Sequence, residues 1–166
     1  MNKFVLLAAA GLVLAGCGQD APEPESKEEA VTEVVCPQAD SEGVLEIQPG
    51  LIATIVKPGY GRAAVSKDIA DVHTTLWLHD EAAEGGRGLE IWSSGGIDPF
   101  RFQIDSGQVI AGWDLGVKCM LIGEKRELQI PPELGYGAQG KPPVPPNATL
   151  LFEIELVKLT APGQES

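Results

Sequence analysis

From Val44 onward, apolar residues recur at the spacing of strands. Leu51 to Val56 is a short β-branched run, ended by Pro58-Gly59-Tyr60-Gly61. Val72, Thr74, Leu76 and Leu78 fall on one face of an alternating segment, and His73, Thr75, Trp77 and His79 on the other. Leu89 to Trp92, Arg101 to Ile104, Glu124 to Ile130 and Thr149 to Leu159 are further strand-like runs. In the last of these, Leu150, Phe152, Ile154 and Leu156 share a face. Only Val109, Ile110, Trp113, Val117 and Met120 fall at helical spacing. Glu81 to Gly88 is polar and glycine-rich, which predicts an exposed loop. Pro131 to Asn147 holds six prolines and three glycines, which predicts no regular structure. Strands outnumber the one helix. The expected fold is therefore α+β: a curved antiparallel β-sheet half-wrapped around one short α-helix.

The first 43 residues follow other rules. Lys3, the apolar run Phe4 to Leu14 and the small residues Ala15-Gly16 before Cys17 form a secretory signal. Between Gly18 and Gly43, eight acidic residues stand against Lys27 alone, and Pro22, Pro24 and Pro37 interrupt the chain. So little apolar surface cannot offset the entropy of ordering, so this stretch reads as a solvated spacer. As a flexible coil it spans roughly 28 Å. The expected organisation is signal peptide 1–16, anchor and acidic tether 17–43, one domain 44–160 and a flexible tail 161–166.

Charge narrows the partners. Asp and Glu number 24 against 12 Lys and Arg, a formal charge of −12. Nucleic acid and anionic lipid both select for cations, so neither is an expected electrostatic partner. Familiar catalytic constellations are missing: there is no GxSxG, HExxH, P-loop or dinucleotide fingerprint. His73 and His79, six residues apart on a strand, would lie ~20 Å from each other, too far to share a metal. They read as two surface histidines, and Ser93-Ser94 reads as a strand end or turn. No metal or cofactor is expected. Cys36 and Cys119 remain after Cys17, spaced for neither a CxxC motif nor a zinc site. They either bridge tether and domain or stand as independent thiols. Tyr136, between Gly135 and Gly137, is held near the surface by a stiff proline-rich loop, as the rim of an apolar pocket would be.

Two resemblances extend this reading. Leu14-Ala15-Gly16-Cys17 resembles the lipobox of bacterial lipoproteins, in which the cysteine is lipidated and becomes the new N-terminus. Gly18 in place of aspartate implies the outer membrane, with the domain facing the periplasm. Gly107-Gln108-Val109-Ile110-Ala111-Gly112-Trp113-Asp114-Leu115-Gly116-Val117, then Gly123-Glu124-Lys125, resembles the FKBP-type peptidyl-prolyl isomerases. So do Ile130 to Gly137 and the run from Pro142 to Leu156. The likeness extends from about Pro58 to Leu159. It implies a half-open sheet on one helix, with a proline pocket between them formed by Phe100, Val109, Ile110, Trp113, Tyr136 and Phe152. Ile91 and Val144 would lie at its rim. Trp113 would be the floor, and the Ile110 N–H and Tyr136 hydroxyl would bond substrate carbonyls.

The implied activity is rotation about X–Pro bonds of unfolded or partly folded envelope proteins, without cofactor. Rapamycin-like macrolides are implied ligands, and a monomer is expected because no dimerising segment is visible. Two residues depart from the family pattern. A pocket tyrosine is replaced by Thr74, and the Phe-Asp pair before two serines is here Ile91-Trp92. The loop from His79 to Glu90 is longer than in short family members, and the proline loop is one residue shorter. Trp92 either points inward and fills the pocket or lies outward and widens the platform. The alternative reading is therefore a weakly active or inactive binding module on the same scaffold.

Overall fold

A computed structural model describes residues 36–164. Seven strands are present: β1 (Val44–Gln48), β2 (Leu51–Lys57), β3 (Ile69–His79), β4 (Arg87–Ser93), β5 (Phe100–Gln103), β6 (Lys125–Ile130) and β7 (Leu150–Thr160). One α-helix, α1 (Ala111–Gly116), lies between β5 and β6. The strands form one antiparallel sheet in the order β1-β2-β6-β7-β3-β4, with β5 paired to β3 beyond the β4 register. The expected α+β architecture is the observed one.

Alternation sorts each strand into two faces. Ala53, Leu128, Phe152 and Leu76 form one continuous row across β2, β6, β7 and β3. All four are buried in the core that also holds Trp113 of α1. The opposite face carries the row Ile52, Gln129, Leu151 and Trp77. There Arg87 folds over the sheet, bonding Glu127 and Glu153 and lying 4.8 Å from the Trp77 ring centre.

The helix lies close to the sheet because two of its residues lack side chains. A Cβ on Gly112 would sit 2.4 Å from Ile130 Cγ2, and one on Gly116 would sit 2.4 Å from Leu128 Cδ1. That proximity brings Trp113, on the same short helix, against the aromatic residues of β5 and β7.

Several boundaries differ from expectation. Residues 36–43, assigned to the spacer, bond to the domain. Cys36 is joined to Cys119 by a disulfide. Asp40 Oδ1 accepts from the N–H groups of Glu42 and Val44, and Gly43 O accepts from Ile55 N–H. An acidic residue that reads as solvated charge is a turn cap. The remainder of the expected tether, the signal segment and Cys17 lie outside the described residues. The helical stripe 109–120 contains a helix of only six residues. Ile110 is extended (φ −63°, ψ 151°) and Cys119 has φ 65°, so only the middle of the stripe coils. Val117 and Met120 are nonetheless fully buried. The loop 81–88 contains a 3-10 turn at Glu84–Gly86, and β4 starts within it at Arg87. The proline-rich loop also carries a 3-10 turn, Pro132–Leu134. Within the expected tail, Gln164 N–H bonds back to Ala161 O.

Candidate active site

The site is built around Trp113. Its ring centre lies 5.1 Å from that of Phe152, edge to face at 81°, and 5.8 Å from that of Phe100 at 85°. Phe102 completes the cluster at 5.5 Å. Edge-to-face pairs of this kind favour one orientation of the indole beyond what burial alone gives. Trp113 is 5% exposed, Phe102 2% and Phe152 5%, yet Phe100 stays 42% exposed. The cluster is thus closed below and bared on one side.

Local bonding explains how α1 presents this ring. Ile110 O accepts the first helical bond, from Trp113 N–H. Asp114 reaches back to the preceding turn and accepts from Asp105 N–H at 2.9 Å and Gly107 N–H at 3.4 Å. Behind the helix, buried Arg126 donates to Gly116 O at 2.8 Å and to Glu124 Oε1. Burial draws the Arg126 guanidinium below its usual value, against the upward pull of the Glu124 carboxylate.

The remaining expected pocket residues belong to or border the buried core that contains this cluster. Val109, Ile110, Ile91 and Tyr136 pack against the core while staying partly exposed, and Val144 is buried at 5%. Val144 is fixed by a two-way backbone bridge to Lys141, and Lys141 Nζ lies 5.7 Å from the Tyr136 ring centre. The Ile110 N–H and the Tyr136 hydroxyl donate to no group of the described residues. Two donors of the expected pocket are therefore unbonded among the described residues.

Phe102 was absent from the sequence-derived pocket list. The alternation of β5 was the available signal: Phe100 and Phe102 are two apart, so both face the sheet's inner side. His73 and His79 are half-buried rather than surface residues. His73 Nδ1 lies 3.4 Å from Ser94 Oγ. His79 lines a small cavity of about 210 Å³ on the opposite sheet face, with its Nδ1 covered and unbonded among the described residues.

The two departures from the family pattern have distinct outcomes. Thr74 is 3% exposed, and its hydroxyl has no bonding partner among the described residues. A buried hydroxyl without a partner costs about 1–3 kcal/mol. Thr74→Val keeps the shape and removes the orphan, so it is expected to raise stability by about 1 kcal/mol in urea unfolding. A fall in stability would reveal a bonded hydroxyl. Trp92 pairs with inner-face Leu76 and is 49% exposed, so it neither fills the core nor turns to the outer face of the sheet.

Comparison with known proteins fits this geometry. The family profile described as FKBP-type peptidyl-prolyl cis-trans isomerase matches residues 61–157. The chain belongs to that family. FK506-binding protein 1 of Aspergillus oryzae is 40% identical over 114 residues, covering 66% of this chain and 98% of the relative. The FK506-binding protein of Neisseria meningitidis serogroup B is 43% identical over 114 residues, covering 66% of this chain and 96% of the relative. Among solved structures, FkpA from Escherichia coli superposes with a TM-score of 0.62 at 36% identity, covering 72% of this chain and 53% of FkpA. A peptidyl-prolyl cis-trans isomerase from Pseudomonas syringae pv. tomato gives 0.60 at 32% identity, covering 71% and 81%. The FKBP profile runs from Gly61, after β2, to Val157 within β7, so the aromatic cluster and both free donors lie inside it.

Proposed function

We propose that this FKBP-type isomerase is tethered to a bacterial envelope membrane and accelerates X–Pro rotation in envelope proteins as they fold. The observation that carries the catalytic part is the aromatic cluster around Trp113, open to solvent at Phe100, together with the unbonded Ile110 N–H and Tyr136 hydroxyl.

The chemistry needs no nucleophile. Rotation about the X–Pro bond is slow because amide resonance must be lost, a barrier of about 20 kcal/mol. The planar amide is more dipolar than the twisted one. A proline ring on the Trp113 face, shielded by Phe100 and Phe152, takes its amide out of water. That environment destabilises the planar form more than the twisted form. The free donors at the edge fix the peptide through its carbonyl groups, so the rotating bond stays over the indole.

The test is an isomerisation assay on X-Pro peptides, free of protease and run with the full chain in detergent. Turnover is expected, with kcat/KM falling at least about tenfold in Trp113→Ala and less in Tyr136→Phe. Rates at the uncatalysed level from folded protein would instead support a binding module on the same scaffold. The same pocket is expected to bind rapamycin-like macrolides, and the domain to act as a monomer.

Tethering rests on the Leu14 to Cys17 lipobox, with diacyl and acyl chains on one cysteine giving a firm anchor. The Cys36–Cys119 disulfide supports an oxidising compartment such as the periplasm. The outer membrane is the proposed location, since Gly18 follows the cysteine. Cys17→Ser is expected to accumulate uncut precursor without lipid. Normal lipidation of that variant, read by mass, would refute the anchor.

A further inference from the structure

We propose that Trp92 is a specificity-determining residue that selects an aromatic side chain beside the substrate proline. This rests on the isomerase reading of the adjacent cleft.

The placement comes from a bulge. Leu76 pairs with Trp92, but the next residue, Trp77, pairs with Glu90, so Ile91 is an extra residue in β4. Bulges re-aim side chains. Ser93 pairs with Thr75 on the outer face, where their hydroxyls meet at 2.9 Å, and Glu90 pairs with Trp77 on that same face. Trp92 therefore shares the inner face with Leu76, and Ile91 packs against the core from the same side. Two consecutive residues thus face inward where strict alternation allows one.

The row of Trp92 leads to the pocket. Trp92 pairs with Leu76, and Leu76 with Phe152, whose ring stands 5.1 Å from that of Trp113. Despite this position Trp92 is half exposed and makes no hydrogen bond or ring contact among the described residues. An indole left bare beside a buried aromatic cluster costs solvent exposure and gains nothing inside the molecule. Along residues 89–100, Leu89 (68%), Ile97 (83%) and Phe100 (42%) are bared as well, alongside exposed Glu90 and Asp98. Phe100 itself packs on Trp113.

What such a rim takes follows from its chemistry. Glu90 shares the outer face with Trp77 and Arg101 is paired with Asp71, so the surface that Trp92 itself offers is an apolar ring, which favours an apolar group over a carboxylate. An aromatic group gains more than an aliphatic one because it can pack edge to face against the indole. The selected residue flanks the proline, because the row from Trp92 through Leu76 reaches Phe152 of the Trp113 cluster.

The experiment uses two peptide series, varying the residue before and after proline among Phe, Leu, Ala, Glu and Lys. Both kcat/KM and calorimetric Kd are measured for the full chain in detergent. In one of the series Phe is expected to exceed Ala by about tenfold in kcat/KM. Trp92→Ala should reduce that ratio to about twofold or less. Trp92→Phe should restore most of it, which a merely structural role would not require. An unchanged ratio in Trp92→Ala, no preference in either series, or a preference for Lys over Phe would overturn the proposal. If no peptide is turned over, the isomerase reading fails, and the Kd ratios then decide the role of Trp92 by the same criteria.

Discussion

Arg126→Met is expected to destabilise the domain by about 3–5 kcal/mol, because it leaves a carboxylate buried without its counter-charge. Arg126 and Glu124 are each 3% exposed. Arg126 Nε donates to Glu124 Oε1 at 2.8 Å, and a second guanidinium nitrogen lies 2.6 Å from the same oxygen. The other carboxylate oxygen accepts from Leu121 N–H at 2.9 Å, and Arg126 also donates to Gly116 O at 2.8 Å. The pair therefore joins the end of α1 to the turn before β6. Changing both partners, as in Glu124→Leu/Arg126→Met, removes the uncompensated charge. That double variant should recover part of the loss, though not all of it, because Gly116 O and Leu121 N–H then lose partners. Urea unfolding of the three variants gives the comparison. A single-variant loss below about 1 kcal/mol would mean that water reaches the carboxylate. Since Gly116 closes the helix that carries Trp113, the near-ultraviolet signal of the indole should weaken along with stability.

This ion pair also marks where sequence reasoning stops. The alternation of β3 and β7 assigns their faces correctly because apolar residues recur at every second position on one face. In β6 the inner-face positions are Arg126, Leu128 and Ile130, and arginine on that face reads as a break in the pattern. Its partner Glu124 is two residues away and outside the strand, so burial of both is a tertiary fact. The bulge at Ile91 is invisible for a similar reason. It depends on which residue of β3 faces which residue of β4, and a strand's own composition does not contain that register. The motif around Trp113, by contrast, was legible as a resemblance, because its glycines and its indole stand in one short run of sequence. Tyr136 was marked by its stiff glycine- and proline-rich loop, whereas Val144 was marked by the resemblance alone. The acidic residues before Val44 misled in the other direction. Asp40 counted as solvated charge until its bonds to the Glu42 and Val44 N–H groups became visible.

Loss of the Cys36–Cys119 disulfide is expected to cost about 4–5 kcal/mol on the chain-entropy account. The bond spans a sequence separation of 83 residues, from before β1 to the turn after α1. Cross-linking so long a segment removes many conformations from the unfolded chain, and the effect grows only slowly beyond this length. The native side is also prepared for the bond. Cys119 N–H donates to Ala64 O, Met120 N–H donates to Val117 O, and Ala39 packs against the core near the start of the described chain. These contacts remain in Cys36→Ser/Cys119→Ser, so the native fold should persist while its unfolding midpoint falls. Trp113 lies six residues before Cys119, on a helix anchored separately by Arg126. Isomerase turnover at low denaturant should therefore change little, whereas stability changes a great deal. Urea unfolding of the oxidised protein, the reduced protein and the double-serine variant separates the contributions. Reduced and double-serine proteins should agree, both well below the oxidised form. A loss under about 1 kcal/mol in both would mean that the unfolded chain already holds these segments together, and that the bond contributes little to the domain.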